Sequence, residues 1–123
     1  MAQVKQGNKK SIGILGGTFD PAHYGHIKIS KEARKRFGID EIIWAITKKN
    51  PFKDESNLSL SKRIKYAKKI NQNNPFIKVK YFEDKIKSNR SVDLIKFIKK
   101  NNRNTTIYFI MGADSLINFH KWK

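Results

Sequence analysis

Cysteine is absent from the 123 residues, so neither a disulfide nor a thiolate metal site contributes. Acidic residues are scarce too: 10 Asp and Glu stand against 27 Lys and Arg, a formal net charge of +17. No apolar run approaches the ~20 residues that cross a bilayer, and the opening MAQVKQGNKK lacks the apolar stretch of a secretory signal. These absences set aside membrane spans and secreted disulfide frameworks, and the cytoplasm is the expected location. The positive charge is compatible with nucleic acid, an anionic membrane face or a phosphorylated small molecule. The lysines, however, are scattered among Asn and Ile as a compositional bias scatters them. Charge alone selects none of the three.

The apolar residues that are present are regularly placed, which argues for one folded domain with a core. Ser11–Leu15 is a short apolar run ahead of Gly16-Gly17 and reads as a buried parallel strand. From His26 to Phe37 the spacing of Ile29, Ala33 and Phe37 predicts a helix, with Gly38 where a left-handed C-cap belongs. Glu41–Ile46 is the second strand candidate, followed by a polar, proline-containing loop over 47–57. Ser59 or Ser61 can cap a helix that presents Ile64, Ala67 and Ile70 and stops at Asn73-Asn74-Pro75. Phe76–Phe82 alternates as a half-exposed strand, Ser91 caps a helix running to Lys100 with Leu94, Ile95 and Ile98 apolar, and Thr105–Met111 is a fourth strand. After Gly112 another helix is expected to open at Ser115. Such strand–helix alternation predicts an α/β fold: a Rossmann-like parallel sheet with helices on both faces, preceded by a flexible tail over 1–10. Ligands of such sheets bind at the carboxyl ends of the strands, where the loops after Leu15 and Met111 both fall.

The most specific pattern is Gly16-Gly17-Thr18-Phe19-Asp20-Pro21-Ala22-His23-Tyr24-Gly25-His26. Two glycines after a strand let the backbone approach a phosphate and offer amide donors. Gly25 does the same at the mouth of the helix, where free amides and the helix dipole favour an anion. His23 and His26, three residues apart, can face one site and donate to phosphate oxygens as charge builds on a leaving group. A lone glycine pair or a lone loop histidine is ordinarily a turn or a surface residue; it is the combination that is specific. Two histidines are too few for a structural metal site when the only other histidine is His120.

GGTFDPAHYGH resembles the signature of the nucleotidylyltransferase superfamily, its HxGH element matched by His23, Gly25 and His26. The fuller form is most similar to bacterial nicotinate mononucleotide adenylyltransferases. Met111-Gly112-Ala113-Asp114-Ser115-Leu116 and Phe119-His120-Lys121-Trp122 resemble that family's GxDSL and FxxW elements. The resemblance implies transfer of AMP from ATP to nicotinate mononucleotide, giving nicotinate adenine dinucleotide and pyrophosphate, with Mg²⁺ accompanying ATP. It implies that His23 and His26 contact the ATP phosphates and that Gly16, Gly17, Thr18 and Phe19 line the dinucleotide site, Phe19 also shielding it. It further implies that Lys53 is a phosphate contact, that Gly112 and Asp114 meet the adenosine, and that Trp122 stacks on the pyridine ring. Where the family has Tyr-Thr ahead of its third helix, this chain has Arg90-Ser91; Ser91 keeps the hydroxyl. The family's late SxTxIR-type element has no counterpart here, so the fold is expected to be incomplete at its carboxyl-terminal end and the product to have weak or no activity.

Because the attacking phosphate is already anionic, this reaction needs alignment and charge neutralisation and no protein nucleophile. The expected partners are ATP and nicotinate mononucleotide, with no membrane and no specific nucleic acid; a homo-oligomer is compatible with the sequence. Two rival readings stand beside it. One is a phosphopantetheine adenylyltransferase or cytidylyltransferase sharing the two histidines. The other is a non-catalytic basic module that binds RNA.

Overall fold

The computed structural model describes residues 10–48, 58–87, 91–111 and 118–122. The chain runs β1 (Lys10–Gly17), α1 (Tyr24–Phe37), β2 (Glu41–Ile46), α2 (Leu60–Ile70), β3 (Ile77–Lys80), the short α3 (Glu83–Ile86), α4 (Ser91–Asn101), β4 (Thr105–Met111) and β5 (Asn118–Trp122). The sheet order is β3-β2-β1-β4-β5. β1 pairs in parallel with β2 and β4, β2 pairs in parallel with β3, and β5 closes the other edge antiparallel to β4.

Alternation along the strands sends side chains to two cores. On one face, Leu15, Ile42, Trp44, Ile46 and Ile110 meet Ile27, Ile29 and Ala33 of α1 and Ala67 of α2. On the other, Ile12, Ile14, Ile43, Ala45, Ile107 and Phe109 meet Ile95 and Ile98 of α4. Each buried isoleucine contributes roughly 1.5–3 kcal/mol by leaving water. At Gly13 a Cβ would stand 2.8 Å from Ile42 Cδ1, so the first face closes tightly only because that side chain is missing.

The first three strands step in one direction with α1 and α2 on one face. The chain then returns through α4 on the opposite face to lay β4 against the free side of β1. Strand order therefore reverses between β1 and β4, and ligands of open α/β sheets bind in the crevice this reversal creates at the carboxyl ends.

Helix ends follow their local chemistry. Gly38 at φ 63° ends α1, as its position predicts. Ser59, one of the two candidate caps, is the one used: its side chain accepts from Lys62 N–H. α2 ends at Asn71, whose Nδ2 donates to Ala67 O at 2.9 Å and whose Oδ1 accepts from Asn74 Nδ2 at 3.2 Å.

Several expectations are corrected. β1 includes Gly16 and Gly17, which pair with Ala45 and Ile46, so the loop begins at Thr18. α1 starts at Tyr24, before His26. The third strand covers only 77–80, because the chain turns at Phe82 into α3. Most plainly, 118–122 is an antiparallel strand where a continuing helix was expected. The open edge of β4 supplies the backbone partners of this strand. Among the described residues no helix is long and apolar enough to cross a membrane.

Candidate phosphate-binding site at the reversal of the sheet

The loop after β1 carries the site. Thr18 is partly exposed, while Phe19 adopts φ 51°, a left-handed conformation rare for a bulky residue. The turn that results drives the Phe19 ring into the core, where it is 2% exposed and stacks on Trp44 at a centroid distance of 4.9 Å. The His26 ring leans on Phe19 at 4.6 Å and on Trp44 at 5.7 Å, and the His23 ring lies 4.0 Å from His26. Aromatic contacts thus run from the buried indole to the exposed imidazole of His23. The Phe19 side chain belongs to the base of the site, and only its backbone can line a ligand.

His23 is the N-cap of α1. Its Nδ1 accepts from Gly25 N–H at 3.0 Å, and in return His26 Nδ1 accepts from His23 N–H at 3.0 Å. This is a capping box in which imidazoles take both side-chain roles. Because both Nδ1 atoms are acceptors, each neutral ring carries its proton on Nε2. The pair therefore offers two Nε2–H donors on neighbouring rings at the positive end of a helix dipole, an arrangement suited to the oxygens of a phosphate chain.

The same bonds correct the reading of Gly25. Its amide is occupied by His23 and that of His26 by His23 O at 3.0 Å, so these amides are not the free anion donors expected. Glycine is needed for another reason: a Cβ at position 25 would stand 2.7 Å from the His23 ring and push it off the cap.

Two supporting residues, Ser30 and Arg63, carry no recognisable motif. Ser30, fully buried, accepts from Trp44 Nε1–H and donates to His26 O, both at 2.8 Å, which fixes the first turn of α1 on β2. Arg63, 2% exposed, donates from Nη1 to Thr18 O at 2.8 Å and to Thr47 O at 2.7 Å, from Nη2 to Lys48 O, and from Nε to Leu58 O at 3.2 Å. The signal for both is a polar residue interrupting an apolar helical stripe: Ser30 between Ile29 and Ala33, Arg63 between Leu60 and Ala67. Asp20 Oδ1 accepts from Leu58 N–H at 3.0 Å and joins the loop to the start of α2. Near the end of β3, burial foremost, then the Asp84 and Glu83 carboxylates, raise the Tyr81 phenol above its ordinary 10.0, while Arg63 pulls it down.

Gly16 and Gly17 at the end of β1, Thr18 and Phe19 in the loop, and His23 and His26 at the helix mouth are thus brought together. Met111, next in register to the pair Leu15–Ile110, brings the end of β4 beside Gly16. Lys53, Gly112 and Asp114 lie outside the described residues. Ser91 and Trp122 are described at the backbone alone: Ser91 opens α4, and Trp122 pairs with Ile107. Since Ile107 also pairs with Ile12, the Trp122 backbone lies level with the first half of β1 and away from the histidine pair.

The sequence matches a family model described as cytidylyltransferase-like over residues 14–123. The chain belongs to that family. Within it, the chain is 60% identical over 114 residues to a protein of Pelagibacter ubique named "Probable nicotinate-nucleotide adenylyltransferase", covering 93% of this chain and 63% of that protein. A Ruegeria protein of the same name is 35% identical, covering 92% of this chain and 59% of its own length. Among solved structures, Plasmodium falciparum nicotinic acid mononucleotide adenylyltransferase complexed with NaAD superposes with a TM-score of 0.67 at 29% identity, covering 81% of this chain and 50% of that one. The chain thus spans less than two thirds of the length of each of these relatives.

Proposed function

We propose that this chain forms the phosphate-binding part of a nicotinate-nucleotide adenylyltransferase. The observation that carries the reading is the reciprocal His23–His26 cap, which presents two Nε2–H donors beside the reversal between β1 and β4. The names of the relatives supply the substrate class. In this reading the phosphate of nicotinate mononucleotide attacks the α-phosphorus of ATP in line. One P–O bond forms, the bond to the β-phosphate bridge breaks, and pyrophosphate leaves with the electron pair. His23 and His26 neutralise charge on the phosphate oxygens as it shifts toward the leaving group. Mg²⁺ enters as part of the substrate, on triphosphate oxygens and water. Lys53, Ser91, Gly112 and Asp114 are proposed as further nucleotide contacts, and the cytoplasm as the location. Trp122, on β5, is proposed to stack on the pyridine ring.

Calorimetric titration of the chain with ATP·Mg, nicotinate mononucleotide, nicotinamide mononucleotide, phosphopantetheine and CTP tests this. Binding of ATP·Mg and preference for the nicotinate form are expected. His23→Asn is the informative variant: asparagine still caps a helix but lacks the imidazole Nε2–H. Roughly tenfold weaker ATP·Mg binding, about 1.4 kcal/mol, is expected with the helix intact. Tighter binding of phosphopantetheine or CTP would sink the reading, as would RNA binding that is steeply salt-dependent and indifferent to His23→Asn.

A further inference from the structure

Arg63 is the one fully buried charged side chain of the described core, and all its partners there are carbonyl oxygens. No carboxylate among the described residues lies within ion-pair distance of it. A buried guanidinium is costly unless its donors are satisfied, so its location demands a reason. Its planar fork joins three places: the loop after β1 through Thr18, the end of β2 through Thr47 and Lys48, and the start of α2 through Leu58. Lysine, with a single nitrogen, cannot span these four oxygens. The bond to Thr18 O falls on the peptide immediately before Phe19, the residue held at φ 51°. A left-handed bulky residue persists only where its surroundings over-determine it, and here those surroundings are Arg63 on the backbone and Trp44 on the ring.

We propose that Arg63 is a positioning residue for the phosphate site. It acts through the Thr18 carbonyl to hold the loop in the turn that seats Phe19 and sets His26 against His23. The cation also polarises the Thr18–Phe19 peptide, which strengthens its N–H as a donor. The inference rests on the proposed function for its consequence, nucleotide affinity, and on the fold alone for its cause.

The test uses Arg63→Lys in the full chain, with Lys65→Gln, an exposed neighbour on α2, as control. In the free protein, the backbone amide resonances of Gly16, Gly17, Phe19 and His26 should move in Arg63→Lys while those of β3 stay in place, and ATP·Mg affinity should fall at least tenfold. Lys65→Gln should change neither. A folded Arg63→Lys chain with unmoved loop amides would overturn the inference. So would a parent that binds ATP·Mg and a variant that binds it equally well. A parent that binds no nucleotide would count against the proposed function, and the loop-amide comparison would still decide this one. Should Arg63→Lys fail to fold, the parent itself decides: the Arg63 guanidinium protons should exchange with water much more slowly than those of exposed Arg103 and shift on addition of pyrophosphate. Exchange as fast as at Arg103 overturns the inference.

Discussion

The two faces of the sheet are built from the same isoleucine-rich strands and differ in what they bury. The face under α4 is lined mainly by hydrocarbon, from Ile12 and Ile14 to Ile95 and Ile98, with Thr105 at its edge. The face under α1 and α2 buries an indole N–H, a serine hydroxyl and a guanidinium among its hydrocarbons. Those polar groups gather beneath the loop after β1 and the first turn of α1. Polar burial is expensive unless satisfied, and here every partner is a backbone or side-chain group that shapes the site. One face supplies stability; the other trades some of it for the position of two imidazoles.

The sharpest way to break that contrast is to damage each face in turn. Ile98→Ala on the α4 face should cost about 2–5 kcal/mol in chemical denaturation through transfer and cavity terms. ATP·Mg affinity of the folded chain should stay unchanged; a parallel loss of affinity would show that the faces are not separable. Ser30→Ala on the other face strands the Trp44 indole N–H in a buried setting and should cost about 1–3 kcal/mol. Nucleotide binding should weaken with it, because the same hydroxyl donates to His26 O. Equal stability and affinity in parent and variant would remove Ser30 from the site's support.

Gly25→Ala is expected to separate the two quantities. Loss of the His23 cap costs about 1 kcal/mol, and alanine in place of glycine returns up to about 1 kcal/mol of helix propensity. Melting should therefore move little while ATP·Mg affinity falls roughly tenfold, about 1.4 kcal/mol. Unchanged affinity would mean the imidazole accommodates the new Cβ.

Tyr81→Phe should have the smallest effect. A raised phenol pKa means the folded chain keeps this proton where the unfolded chain has released it. The associated stability is complete below pH 10.0 and is lost as pH rises through the folded value. Denaturation midpoints at pH 9 and 11 should diverge less in Tyr81→Phe than in the parent; identical divergence would place the alkaline loss elsewhere.

Much of the fold is legible in the chain because apolar periodicity and end signals are local. Gly38 caps α1, Ser59 caps α2, and the strands near Ile12, Ile43 and Ile107 lie where short apolar runs predict them. The strand at 118–122 was not legible as such, since the edge of β4 that pairs with it is not written in those residues. The site was legible as a motif and only half legible as chemistry. Gly25 reads as an anion donor from its neighbours, whereas its amide is already spent on His23. Arg63 stands among lysines in a basic helix, where no motif marks it, and lies buried among carbonyls.

By itself the sequence determined the alternation of strands and helices, the phosphate-loop pattern and the pairing of His23 with His26 at a helix mouth, because spacing along a chain dictates which residues share a turn. Only the tertiary structure decided which nitrogen of each imidazole carries the proton, why position 25 must be glycine, and that Arg63 and Ser30 support the loop. The imidazole protons and Gly25 are settled by the rotamers the two rings adopt in the first turn of α1, and the roles of Arg63 and Ser30 by groups brought together across the sheet, where no local pattern encodes which carbonyl a buried donor will meet.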